Sequence, residues 1–225
     1  MKLSIIMPVL NEAKTLPVIL QKVLNVALEK EIIIVNDGST DDTHNILEKY
    51  RNHEGISLIS HLSTQGKGGA VQSALKQVKG DIVIIQDADL EYDPEDYAKL
   101  IAPITAGQYL VVFGTRTGPN HSYFRYFLGG KILTMLANIL YRQHLTDVFT
   151  CYKVFSAEIL KDIQIEGRGF DFDSEVTAKV VRKGIQIGQV PISYYPRSFE
   201  EGKKIRWIDG LIAAWILIKY RFVNL

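Results

Sequence analysis

Residues 3–9 form an apolar run, and Leu16, Ile19, Leu20, Val23 and Leu24 then recur at helical spacing before a second apolar run at 31–35. The order is strand, helix, strand. The rhythm continues with a helical pattern at 41–50, a strand at 56–60, a helix at 69–78, a continuously apolar strand at 82–85, a helix at 94–104 and a strand at 110–113. Strands that are apolar on both faces and alternate with helices predict an α/β fold, a mostly parallel central sheet with helices on both faces. Beyond Gly114 the pattern changes. Phe124, Phe127, Leu128, Ile132, Met135, Leu136, Ile139 and Leu140 share helical spacing, with Arg125, Lys131 and Arg142 between them, and predict a core helix. A strand at 151–155, a helix at 173–183, a strand at 185–192, a loop marked by Pro191, Pro196 and Gly202, and a closing amphipathic helix at 205–222 complete the series. With no internal repeat or low-complexity linker, residues 1–225 read as a single domain with a nucleotide-binding half (1–115) and an acceptor half (116–225).

Composition narrows the class. The chain has 225 residues, 47% apolar and 23% charged, and a length that buries about 70–75% of the unfolded surface, so it folds without staples. The net charge of +1 conceals an acidic first half (10 Lys+Arg against 15 Asp+Glu) and a basic second half (16 against 10). No basic stripe carries interleaved aromatics, which argues against nucleic acid as a partner. Cys151 is the only cysteine, so an intramolecular disulfide and a thiolate zinc cluster are excluded and a reducing, cytoplasmic setting is expected. The five histidines show no close metal-ligand spacing, which removes a zinc hydrolase. The first apolar run is cut by Pro8 and too short for a secretory signal, and the uncharged stretch 210–218 is about half a membrane span. Ile208, Leu211, Ile212, Trp215, Ile218 and Phe222 share one helical face, with Trp207 near its start and Lys204, Arg206, Lys219 and Arg221 at its ends. That pattern suits a helix lying in a membrane interface and equally a helix packed on the sheet.

In parallel α/β sheets ligands bind beyond the carboxyl ends of the strands, so the residues after each apolar run are the candidates. Here they are acidic: Leu10-Asn11-Glu12 after the first strand, Asn36-Asp37-Gly38-Ser39 after the second, and Gln86-Asp87-Ala88-Asp89-Leu90-Glu91 after the fourth. Two carboxylates one residue apart at a strand end suit a hard divalent cation that retains positions for a diphosphate. Around Asp37, Ser39 or Thr40 reads as a helix cap while Asp37 itself is a candidate for a base or ribose. Gly66-Lys67-Gly68-Gly69 resembles a phosphate cradle at a helix start without being a Walker loop.

Pro8-Val9-Leu10-Asn11-Glu12, Val35-Asn36-Asp37-Gly38-Ser39, Gly66-Lys67-Gly68, Asp87-Ala88-Asp89 and Gly114-Thr115-Arg116 together resemble the successive motifs of inverting family 2 glycosyltransferases. The resemblance is strongest to the dolichyl-phosphate mannosyltransferase and glucosyltransferase group, and it extends through 147–155, 169–175 and 196–207. It implies a GT-A nucleotide-sugar fold. Pro8, Leu10, Glu12, Val35 and Asp37 would then lie at the nucleoside, and Gly66, Lys67, Asp87, Ala88, Arg197 and Lys203 around the rest of the donor. Asp87, Asp89 and Glu91 would hold Mg²⁺ or Mn²⁺, with Glu91 where the mannosyl group often has Gln, and Asp89, Arg116 and Arg125 would serve catalysis.

The implied reaction moves a hexose from a UDP- or GDP-sugar, with inversion, to a polyprenyl or dolichyl phosphate at the cytoplasmic face of a membrane. A phosphate monoester is largely dianionic at neutral pH, its second pKa being about 6, and attacks without a base; a sugar hydroxyl needs one, for which Asp147, Asp171, Asp173 and Glu175 are candidates. Residues 197–204 read as a loop able to close over bound phosphates. The alternatives are transfer to a saccharide hydroxyl, nucleotidyl transfer, and a catalytically silent nucleotide-sugar scaffold.

Overall fold

The computed structural model describes residues 1–116, 124–169, 171–197 and 207–223, with the backbone alone at 124–127. Seven strands, β1 (Leu3–Val9), β2 (Lys30–Asn36), β3 (Ile56–Ser60), β4 (Ile82–Ile85), β5 (Val111–Arg116), β6 (Lys153–Ser156) and β7 (Ile187–Ile192), form one sheet in the order β3-β2-β1-β4-β6-β5-β7. Helices α1 (Leu16–Asn25), α2 (Thr43–Glu48), α3 (Gly66–Leu75), α4 (Tyr97–Thr105), α5 (Phe124–Tyr141), α6 (Ala157–Asp162), α7 (Phe172–Arg182) and α8 (Trp207–Phe222) connect or follow them. The central strands β1, β2 and β4 are buried almost throughout, whereas the edge strands β3 and β7 carry exposed or half-buried positions. That contrast is why the central runs read as uninterrupted apolar stretches.

β1 pairs in parallel with β2 on one side and β4 on the other. The chain moves outward from β1 through β2 to β3 and then returns to β4, so the order reverses between β1 and β4. A crevice opens at such a reversal, beyond the carboxyl ends of the strands. Gln86 N donates to Ile6 O at 2.9 Å, which carries the chain after β4 alongside the end of β1.

β6 lies between β4 and β5 and is antiparallel to both, so strands from the two sequence halves alternate within one sheet. It brings in Lys153, fully buried, whose ammonium pairs with Asp173 near the start of α7. A charge held at such depth requires a partner of this kind. α6, which the periodicity did not anticipate, follows β6 directly and is only six residues long.

α5, expected as a core helix, is only partly one. It buries Ala137 and Tyr141 but leaves Leu128, Ile132, Met135 and Ile139 exposed. α8 packs on α5 and α7 through Ala213, Leu217 and Tyr220. Its other face, with Trp207, Leu211, Trp215 and Phe222, is exposed, so the helix both packs on the domain and presents an apolar face. Among the described residues, no helix is long and apolar enough to cross a membrane.

Candidate active site

The loops after β1 and β2 are laced together. Asn11, in the left-handed region at φ 51°, accepts from Thr40 N at 2.7 Å through Oδ1 while its own N–H donates to Ser39 Oγ at 3.0 Å. Glu12 N donates to Thr43 Oγ1 and Ala13 N to Asp41 Oδ2. Pro8 and Leu10 are half-buried along this lip. Val35, expected at the nucleoside, is fully buried in the core of β2, and Ala88 is buried as well. β2 is covered on both faces, so either orientation of Val35 is an interior one.

Asp37 is buried, and its carboxylate accepts from Gln65 N and Gly66 N, each at 2.8 Å. His61 Nδ1 lies 2.7 Å from Asp37 Oδ1, and His61 Nε2 lies 2.9 Å from Ser73 Oγ. Asp37 thus satisfies the first free N–H groups of α3 from a distant strand. This explains why α3 begins at Gly66, three residues before the expected start. Neither Ser39 nor Thr40 caps α2; Asp41 Oδ1 accepts from Thr43 N at 3.0 Å instead. The start of α3 is also not an open cradle. Gly69 N donates to Arg168 O at 3.3 Å, and a Cβ on Gly66 or Gly68 would collide with the Arg168 or Gly167 carbonyl. Gly66 further needs its φ of 82°, which L side chains rarely adopt.

Between these glycines Lys67 reaches Asp87, with Nζ 2.9 Å from Oδ1. Burial pushes the Asp87 carboxyl up, but the charge and hydrogen bond of Lys67, joined by the Cys151 thiol and the Lys153 charge, together outweigh it and hold Asp87 below the ordinary carboxylate range. Asp89 behaves oppositely. Burial, followed by the charges of Asp87 and Glu91, raises it to about 7 against the opposing pull of Arg197. Leu90, the residue between Asp89 and Glu91, is left-handed at φ 65°, a strained conformation for a residue with a branched apolar side chain.

Arg197 closes the site from the segment after β7. Its Nη2 lies 2.8 Å from Asp89 Oδ2, its Nη1 3.1 Å from Glu12 Oε2, and its backbone N–H donates to Glu91 Oε1 at 2.9 Å. Tyr194 Oη donates to Glu91 Oε2 at 3.1 Å. Arg116 stacks over the Tyr194 ring, 5.0 Å from its centroid, and forms a two-point ion pair with Asp147 at 2.6 and 2.9 Å. Tyr194 was missed in the sequence, although two tyrosines just ahead of Pro196-Arg197 signalled an aromatic floor. Lys153 was missed too, despite being a charge within an apolar strand run.

The structure therefore brings together Glu12, Lys67, Asp87, Asp89, Glu91 and Arg197. Arg116 is joined to them through Tyr194, while Arg125 (side chain) and Lys203 lie outside the described residues. Among the described residues no group of three or more His, Cys, Asp or Glu forms a metal-ligating set, and Glu91 directs both carboxylate oxygens to Tyr194 and Arg197. The pair Asp87 and Asp89 still fits a hard divalent cation. Both are oxygen donors, each is faced by a cationic side chain, and their mutual repulsion, visible in the raised Asp89, is what a divalent ion relieves.

Comparison with known proteins gives the fold and the family. A low-salt glycan biosynthesis hexosyltransferase, Agl6, of Haloferax volcanii is 26% identical over 99% of this chain, which spans only 53% of that relative's length. An undecaprenyl-phosphate mannosyltransferase of Micrococcus luteus is 25% identical, with 96% of each chain covered. Among solved structures, glucosyl-3-phosphoglycerate synthase of Mycobacterium tuberculosis, in complex with Mn²⁺, UDP and phosphoglyceric acid, superposes with a TM-score of 0.77 at 19% identity over 99% of this chain and 79% of that one. The shared architecture is the GT-A-like α/β fold. Residues 4–164 match the model of glycosyl transferase family 2, and with its strand-end Asp87-Ala88-Asp89 at the β1/β4 crevice the chain belongs to that family of glycosyltransferases.

Proposed function

We propose that this glycosyltransferase moves a hexose from a UDP- or GDP-sugar to the phosphate of a polyprenyl lipid, with inversion at the anomeric carbon, on the cytoplasmic surface of a membrane. The observation that carries the acceptor assignment is the state of the carboxylates that a hydroxyl acceptor would need as bases. Asp147 is held by Arg116, Asp173 by the buried Lys153, and Glu175 by two backbone N–H groups, Lys179 and Tyr220. Asp171 is the least committed of the four, accepting from Gly169 N at 2.7 Å. An acceptor that arrives already ionised needs none of them. The name of the Micrococcus luteus relative, which aligns end to end, supports the same acceptor class.

On this reading Asp87 and Asp89 hold Mg²⁺ or Mn²⁺, which when bound neutralises charge on the leaving diphosphate. Lys67 and Arg197 bring two further positive charges to the same place. Lys67 is poised for the diphosphate through its bond to Asp87, and Arg197 through its bonds to Glu12 and Asp89. Arg116, committed to Asp147, orients Tyr194 and through it Glu91 rather than meeting phosphate directly. The exposed apolar residues of α5 and α8, in the basic half of the chain, suit a lipid surface.

The test supplies labelled UDP- and GDP-hexoses with a polyprenyl phosphate or the matching free polyprenol. The expected product is chloroform-soluble, labile to mild acid and formed from the phosphate alone. Equal glycosylation of the alcohol, or label entering only a water-soluble saccharide, replaces this reading with the hydroxyl-acceptor one. Donor binding without any transfer would favour the silent scaffold.

A further inference from the structure

Glu175 lies on α7 away from the acid pair, is fully buried, and uses both carboxylate oxygens. Oε1 accepts from Glu166 N at 2.8 Å, from Lys179 Nζ at 2.6 Å and from Tyr220 Oη at 3.0 Å, and Oε2 accepts from Gly167 N at 2.7 Å. A carboxylate with so many donors has no free lone pair aimed at solvent and no route to an acceptor proton. Its bonds instead hold the strap 164–169. Lys179 extends the hold by donating to Gln164 O. The strap in turn abuts the start of α3: Arg168 O accepts from Gly69 N, Gly167 O accepts from Gln72 Nε2 at 3.5 Å, and the two carbonyls occupy the space a side chain at Gly66 or Gly68 would need. Lys67 stands between those glycines with its ammonium on Asp87.

We propose that Glu175 is a positioning residue for donor binding. By fixing the strap against the start of α3 it sets Lys67 on Asp87, and through Tyr220 it anchors α8 to the same strap. The inference rests on the reading of Lys67 and Asp87 as part of the donor site. It adds the buried connection by which a residue of the second half of the chain governs that site. The glycine pattern in α3 has the same origin. Backbone of the strap and backbone of the helix meet directly, so a shift of the strap is passed to Lys67 without a flexible side chain in between.

The test is a double-mutant cycle read by calorimetric binding of UDP·Mn²⁺ and GDP·Mn²⁺ to the full chain. Wild type is expected to bind one of the two. Glu175→Gln and Lys67→Met are each expected to weaken it about tenfold, the scale of one charge-assisted contact. Glu175→Gln should add no more than about twofold in the Lys67→Met background, because its effect passes through Lys67. Should Glu175→Gln fail to fold, Tyr220→Phe removes a single hydroxyl from the network and is expected to weaken binding about threefold, again only when Lys67 is present. The shape of the kcat/KM pH profile is expected to survive in either variant. Unchanged nucleotide affinity in the variants, full multiplicative losses in the doubles, or disappearance of an acidic limb from the profile would each overturn the positioning role. Failure of wild type to bind either nucleotide would remove the donor reading and this inference with it, whereas binding by wild type with uncoupled losses removes this inference alone.

Discussion

Arg197 Nη2 sits 2.8 Å from Asp89 Oδ2, although the two residues are 108 positions apart in the chain. The same guanidinium meets Glu12 through Nη1, so one cation joins the ends of β1, β4 and β7. Glu12, Asp89 and Glu91 thereby share one cation at this edge. On the proposed reading, a diphosphate with its metal would offer a cation to Asp89 and anionic oxygens to Arg197, exchanging one set of ion pairs for another at small net cost.

The first prediction follows from that exchange. Arg197→Ala is expected to lower kcat/KM for the donor by about ten- to a hundredfold, the range for one lost contact between charged groups. Steady-state kinetics over a donor titration checks it. Arg197→Lys should recover only part of the loss, since an ammonium cannot bridge Glu12 and Asp89 as a planar fork does.

Asp89 provides the pH dependence. Its carboxyl is raised to about 7, so protons compete with the cation. Mn²⁺ affinity should fall about tenfold for each pH unit below 7 and level off above it. A metal titration followed across this range is the measurement. The sign for stability is the reverse of that for an ion-paired carboxylate. Ionising a raised carboxyl costs more in the folded chain than in the unfolded one, so stability is lost as pH climbs from the ordinary carboxylate range through about 7. Asp89→Asn should therefore melt higher than wild type above pH 7 without metal, yet lose about a hundredfold or more in turnover. Equal melting temperatures would place Asp89 in water.

At Gly68, Ala is expected to be destabilising by about 1–3 kcal/mol because its methyl would meet the Gly167 carbonyl. Gly184→Ala, where nothing stands near the added methyl but φ is 74°, should cost about 1 kcal/mol through the backbone alone. Chemical denaturation of the two variants separates a packing conflict from a conformational one. Only the Gly68 variant should also weaken nucleotide binding.

Two residues of α8 distinguish its faces. Trp215 is 63% exposed and Leu217 is 0% exposed. Trp215→Glu should fold normally and leave anionic vesicles in a flotation assay, whereas Leu217→Glu should unfold or aggregate because it buries an unpaired charge. A folded Trp215→Glu protein that floats with the vesicles as wild type does would end the proposed membrane role of this face.

Much of the fold was legible because periodicity is a local property. The bounds of β1 and β4 coincide with the apolar runs, since burial along nearly the whole of each strand leaves no exposed position to blur their ends. The acid pair was legible for a related reason. A strand end is a local signal, and charged residues directly beyond a buried strand have to be solvated or paired.

The sequence by itself determined the alternation of strands and helices, the α/β class, the edge of the sheet at which chemistry gathers, and the motifs shared with family 2 glycosyltransferases. Only the tertiary structure decided that β6 runs antiparallel between β4 and β5, that Asp37 secures the start of α3, and that Glu91 turns to Tyr194 and Arg197. It also separated the faces of α8, since one amphipathic stripe serves packing and solvent exposure equally well until α5 and α7 are in place. The physical reason is range. Helical and strand periods are written over neighbouring residues, whereas the partner of a buried charge is selected by packing between segments that lie far apart, such as Arg197 and Glu12 at a separation of 185 positions. Pairings at that distance arise only when the whole sheet has closed around them.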